Sequence, residues 1–116
     1  MSDSDYILGT HDEELERLGL QHNVWSAYAH EAWARAGFAQ GQTIADIGCG
    51  PGFASIDLAQ IVGPTGSVIA MDRSEHFLAS LNKRARQSGL TNINTVSCDF
   101  NIDPIPDTPL DNAWAR

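Results

Sequence analysis

The period of apolar and polar positions changes along this chain, and the change divides it in two. Residues 1–9 carry no sustained pattern and read as a tail. Thr10-His11-Asp12-Glu13 has the hydroxyl-to-glutamate spacing that satisfies two orphan N–H groups at a helix start. Asp12, Glu13 and Glu14 place negative charge where a helix dipole is positive. Leu15 and Leu18 form a short apolar stripe, and Gly19 is read as the end of this first helix. A second helix is expected from about Gln21 to Ala36, with Val24, Tyr28, Ala32 and Ala36 at helical spacing and Gly37 as the stop. The expectation for residues 1–40 is an arm of two amphipathic helices that covers another surface.

Beyond Gly41 the pattern becomes short apolar runs separated by turns. Gln42–Ile47 suits a buried strand, and a glycine-rich turn follows it. A helix is expected over Phe53–Val62, closed by the turn Gly63-Pro64-Thr65-Gly66. Ser67–Met71 reads as a second strand. Ser74 then caps a helix running to Gln87, with Phe77, Leu78 and Leu81 facing inward. Ile93–Cys98 reads as a third strand, residues 99–109 as a loop rich in Asp and Pro, and Leu110–Arg116 as the start of a fourth strand. Strands alternating with helices through short links imply parallel βαβ units with right-handed crossovers, and the expected local order is third, second, first.

Composition narrows the possibilities. The chain has 116 residues, 42% of them hydrophobic, which is enough for one core. Its formal net charge of −8 disfavours a broad face for phosphate backbones, so no nucleic-acid partner is expected. No apolar run reaches the roughly 20 residues needed to span a bilayer, so no membrane partner is expected. The acidic start Met1-Ser2-Asp3-Ser4-Asp5 is not a secretory signal, and two cysteines make no disulfide framework; a cytoplasmic location follows as the default. His11, His22, His30 and His76 are scattered without zinc spacing, so no metal is expected, and surface or helix-packing roles suit them best.

The chemistry concentrates at Asp46-Ile47-Gly48-Cys49-Gly50-Pro51-Gly52. A nucleotide must approach the backbone closely at the end of the first strand, so glycine is needed there. The amides opening the next helix add positive potential. The spacing discriminates among ligands. A dinucleotide fingerprint is G-x-G-x-x-G, whereas here the third glycine comes one residue early and Phe53 stands where Gly or Ala is wanted. No Gly-Lys-Ser/Thr follows, which excludes a P-loop. Asp72 ends the second strand about 20 residues beyond Gly52, where a carboxylate can accept both ribose hydroxyls. Asp99 ends the third. Three acids at the ends of three parallel strands should meet on one sheet edge, the usual ligand crevice of open α/β folds.

With its preceding strand, acid and following helix, Asp46-x-Gly48-x-Gly50-Pro51-Gly52 resembles motif I of class I S-adenosylmethionine-dependent methyltransferases. The resemblance implies a Rossmann-like α/β fold with a parallel sheet. It sets the glycine loop against the methionine part of the cofactor and Asp46 near the amino group of that part. It assigns Asp72 to the ribose, Arg73 to a place over the adenine, and Asp99 with the amide of Phe100 to the adenine edge. Cys49 and Cys98 fall at the same edge and are counted with the site as small residues. Tyr6, Gln21 and Trp25 in the N-terminal arm resemble positions that touch the methionine end or the substrate in a bacterial branch of the family. Residues 41–116 then match only part of the family's domain, cut in or after the fourth strand, without the second half of the sheet or most of the substrate pocket. If residues 110–116 fail to pair, the first strand becomes an exposed apolar edge, and self-association through the first or fourth strand or by arm exchange is expected.

The function implied is methyl transfer from S-adenosylmethionine to a small-molecule acceptor, with S-adenosylhomocysteine as product. The chain itself reads as a cofactor-binding module in which no general base can be named. Two other classes compete. A nicotinamide-dinucleotide dehydrogenase domain would share the βαβ opening but conflicts with the early third glycine and with Asp46. A non-catalytic interaction protein retaining the fold conflicts with the three intact strand-end acids.

Overall fold

The computed structural model describes residues 10–99 and 109–115, with side chains from residue 12 onward. The elements are α1 (Thr10–Arg35), β1 (Thr43–Ile47), α2 (Phe53–Val62), β2 (Ser67–Asp72), α3 (Glu75–Gln87), β3 (Ile93–Ser97) and β4 (Asn112–Ala115). The four strands form one parallel sheet in the order β3-β2-β1-β4. Residues 112–115 therefore do pair with β1, with Asp46 opposite Trp114 and Ile47 opposite Ala115. β1 is interior, and the condition for an exposed β1 edge is not met; β3 and β4 are the outer strands among the described residues.

The main core lies on one face of the sheet. Ile44 and Val68 meet Ala54, Leu58, Ala59 and Val62 of α2 and Ala29 and Trp33 of α1. Trp33 is 1% exposed and packs edge-on against Trp114, with ring centroids 5.4 Å apart. An edge-to-face pair of this kind adds roughly 0.5–1.5 kcal/mol beyond the area it buries. Ala45, Ile69 and Met71, joined by Ile47 and Val96, form a second cluster on the opposite face, made, among the described residues, of strand residues alone.

The N-terminal arm departs from expectation in two ways. A single 26-residue helix replaces the two helices expected. Gly19 does not end it, because its missing side chain is used for packing: a Cβ there would lie 3.1 Å from Phe53 Cζ. The ring of Phe53 also stacks on His22 at 6.0 Å and lies beneath the Arg84 guanidinium at 4.2 Å, so α1, α2 and α3 converge on it. The buried stripe is also different. Val24 and Tyr28 are 68% and 67% exposed, whereas His22, Ala29 and Trp33 face inward. His22 is held there by Asp57 of α2, which accepts from His22 Nε2 at 2.8 Å and from His30 Nε2 at 3.1 Å. No described helix is long and apolar enough to cross a membrane.

Candidate functional site

The glycine loop is built from φ angles that L side chains avoid: +68° at Gly48, +57° at Gly50 and +83° at Gly52. The three glycines do different work. A Cβ at Gly48 or Gly50 would meet nothing within 4 Å, so these two leave open space at the end of β1. A Cβ at Gly52 would lie 2.7 Å from Leu81 Cδ2. Gly52 therefore also serves the packing of α2 against α3, since a side chain there would run into Leu81. It is also the N-cap of α2, and no side chain caps that helix or adds a carboxylate to its first turn. The orphan N–H groups and the positive dipole end of α2 thus remain available to a ligand at the loop.

The loop is fixed by hydrogen bonds to the neighbouring strand. Cys49 N donates to Met71 O at 2.9 Å, and Gly52 N donates to Cys49 O at 3.0 Å. Gly50 N donates to Asp72 Oδ2 at 2.9 Å, while Ser74 N donates to Asp72 Oδ1 at 2.8 Å. Asp72 is half-buried at the end of β2, and each oxygen has used one acceptor position, so lone pairs remain for further donors. Ser74 then caps α3, accepting from Phe77 N at 3.1 Å, as the sequence pattern requires.

Asp46 lies lower, 3% exposed, on the same sheet face as Trp114. Its carboxylate accepts the Ser55 hydroxyl at 2.6 Å. Cys49 sits between the acids, and its thiol donates to Gly50 O at 3.4 Å. Burial pushes the proton affinity of that thiol well up, and the charges of Asp46 and Asp72 push it further. The thiol stays protonated near neutral pH and is no nucleophile.

β1, β2 and β3 run parallel, so Asp46, Asp72 and the segment after β3 lie toward the same edge of the sheet. β3 ends at Ser97, so Asp99 follows the strand by two residues, half-buried, with Cys98 fully buried before it. Cys98 N donates to Asp72 O at 3.0 Å, which ties this third segment to β2. Arg73 is exposed. Tyr6 and Phe100 lie outside the described residues.

Gln21 and Trp25 stand on α1. They line a groove of about 570 Å³ along α1 with Tyr28, Ala29, Ala32 and Trp114, and the lining includes none of the three acids. Sequence reasoning missed Tyr28 and Trp114 of this groove, and it missed Ser55. The available signal for Ser55 was a single polar residue in the otherwise apolar buried stripe of α2, Ala54, Ser55, Leu58, Ala59 and Val62. Among the described residues no group of three His, Cys, Asp or Glu side chains is placed to hold a metal ion.

A parallel sheet in this order, with a glycine cradle and acids at its carboxyl edge, defines a Rossmann-like domain for a nucleoside-bearing cofactor. Comparison with known proteins makes the class specific. The family model described as a methyltransferase domain matches residues 39–112, and the chain belongs to that family.

A demethylmenaquinone methyltransferase of Lactococcus lactis is 36% identical over 73 residues, 63% of this chain and 28% of that protein. A ubiquinone/menaquinone biosynthesis C-methyltransferase of Pseudomonas entomophila is 32% identical over 101 residues, 82% of this chain and 40% of the relative. The chain thus spans less than half the length of these curated relatives.

A solved S-adenosylmethionine-dependent methyltransferase from Aquifex aeolicus superposes with a TM-score of 0.67 at 28% identity, covering 74% of this chain and 46% of that one. Coclaurine N-methyltransferase, solved with N-methylheliamine and S-adenosylhomocysteine, shares the fold at a TM-score of 0.70 and 24% identity, over 77% of this chain and 26% of its own. S-adenosylmethionine is the cofactor of this class.

Proposed function

We propose that this chain binds S-adenosylmethionine across the carboxyl ends of β1, β2 and β3, as the cofactor-binding part of an enzyme that methylates a small-molecule acceptor and releases S-adenosylhomocysteine. The observation that carries the reading is the link from Asp72 to Gly50, which sets a carboxylate with spare acceptor positions beside an open glycine cradle. The residues present fit the cofactor. Gly48, Cys49, Gly50, Pro51 and Gly52 form the loop on which the methionine part would lie, above the Asp46 carboxylate. Asp72 offers acceptors for two ribose hydroxyls, and Arg73, Cys98, Asp99 and the amide of Phe100 would border the adenine.

The cofactor supplies an electrophilic methyl group when bound. The chain contributes position: the loop amides and strand-end carboxylates fix the reactive group relative to the sheet, which is the main requirement of an in-line displacement. The groove beside α1, with Gln21, Trp25, Tyr28 and Trp114, supports a role for that flank on the acceptor side, joined by Tyr6 of the arm. Its aromatic lining and the quinone names of the relatives favour an acceptor with an apolar ring.

This reading keeps residues 1–40 as an arm and 41–116 as the cofactor-binding unit. A cytoplasmic location also belongs to the proposal, supported by Cys49 and Cys98 forming no disulfide. Self-association through the β4 edge also belongs to the proposal, and light scattering at micromolar protein should then give a mass above that of one chain. The dinucleotide and non-catalytic alternatives are not favoured.

Ultraviolet cross-linking with methyl-labelled S-adenosylmethionine tests the cofactor reading. Label should attach to the protein and be competed away by S-adenosylhomocysteine; labelling that NAD displaces and S-adenosylhomocysteine does not would reverse the assignment.

A further inference from the structure

We propose that Ser55 is a positioning residue of the cofactor site, holding the Asp46 carboxylate in the ionised, oriented form that faces the amino-acid end of the cofactor. The inference rests on the cofactor reading above and extends it to a residue outside the glycine motif. Ser55 is fully buried and stands in the first turn of α2, the element that directly follows the loop. A serine hydroxyl near a helix start commonly bonds to neighbouring backbone groups. Here its hydroxyl reaches across to β1 instead and donates to Asp46 Oδ2 at 2.6 Å. That is the length of a charge-assisted O–H···O⁻ bond. The bond thus connects the strand-end acid to the helix that follows the loop.

The chemistry follows from burial. A carboxylate that is 3% exposed loses most of its hydration, and burial alone favours its protonated form. A hydroxyl donor at 2.6 Å opposes that tendency and selects one orientation of the carboxylate. Without the donor, a buried acid accepts a proton or turns toward another partner, and its attraction for an ammonium group weakens. Nothing in this arrangement bears on the ribose or adenine, which lie toward Asp72 and Asp99. The effect of Ser55 should therefore be confined to the amino-acid end of the ligand.

That confinement separates positioning from a general structural role. Affinities of the 116-residue chain are measured by calorimetry for S-adenosylhomocysteine and for 5′-methylthioadenosine, which lacks the amino-acid portion. In Ser55→Ala, S-adenosylhomocysteine should bind at least about tenfold more weakly while 5′-methylthioadenosine binds as in the wild type. Ser55→Thr should restore the affinity, and Asp46→Asn should reproduce the selective loss. If Ser55→Ala does not fold, Ser55→Cys, a weak donor of similar size, reads the same difference. Unchanged affinity for S-adenosylhomocysteine, or an equal loss for both ligands, overturns the inference and leaves the cofactor reading standing. Failure of the wild-type chain to bind either ligand removes the cofactor reading, and this inference falls with it.

Discussion

The Asp72 carboxylate accepts the backbone N–H of Gly50 at 2.9 Å, so the end of β2 and the loop after β1 are joined by a side chain rather than by strand pairing alone. With Ser74 N on its other oxygen, the same group shapes two turns and presents its remaining lone pairs outward. Asp72→Ala should therefore have two separable effects. Amide exchange at Gly50 and Ser74 should accelerate, and the fold should lose about 1–3 kcal/mol, the range for removing a charged hydrogen-bond partner. Affinity for S-adenosylhomocysteine should fall by more than that stability change alone explains. Hydrogen exchange with calorimetry on the same sample checks both.

Gly48 and Gly52 should respond differently to alanine although both have positive φ. At Gly52 the new methyl meets Leu81 as well as an unfavourable backbone, so strain and overpacking together should cost roughly 2–4 kcal/mol. At Gly48 the methyl enters open space, and only the backbone cost of roughly 1–2 kcal/mol applies. Gly48→Ala should melt only several degrees below the wild type and well above Gly52→Ala, yet lose ligand affinity, because its methyl projects where the cofactor would lie. Thermal melts paired with binding curves distinguish the two.

Cys49 gives a pH dependence with a definite sign. Its thiol binds its proton more tightly in the folded chain than in the unfolded one, through burial first and the neighbouring carboxylates second. The stabilising effect is complete below the ordinary thiol pKa of about 8.5. Above it the unfolded chain releases the proton while the folded chain keeps it, so stability falls by up to roughly 1.4 kcal/mol per pH unit. Cys49→Ala should flatten this alkaline decline. In the wild type, thiol reagents at pH 8 should modify Cys49 slowly, and Asp72→Asn should quicken the reaction.

The parts of the fold written in short-range pattern were legible. Phe53–Val62 matches α2 residue for residue, the Ser74 cap follows from turn chemistry, and the local order β3-β2-β1 was legible in the βαβ units, while β4 beside β1 was legible only through the family resemblance. The continuity of α1 was not legible, because the reason Gly19 sits inside a helix is Phe53, far along the chain. The inward face of α1 was misread for the same kind of reason: Asp57 and Trp114 decide that His22 and Trp33 are buried while Val24 and Tyr28 are not. In the site, acids at strand ends could be read from position alone. Ser55 could not, since its partner is set by how α2 lies on β1.

The central claim is that the spacing of Gly48, Gly50 and Gly52, with Asp72 beside them, selects S-adenosylmethionine over a dinucleotide. Parallel calorimetric titrations of the chain with S-adenosylhomocysteine and with NAD test it most directly. The expected result is saturable one-site binding of S-adenosylhomocysteine, weakened at least about tenfold in Asp72→Ala, with no heat from NAD. Saturable NAD binding with no response to S-adenosylhomocysteine would contradict it.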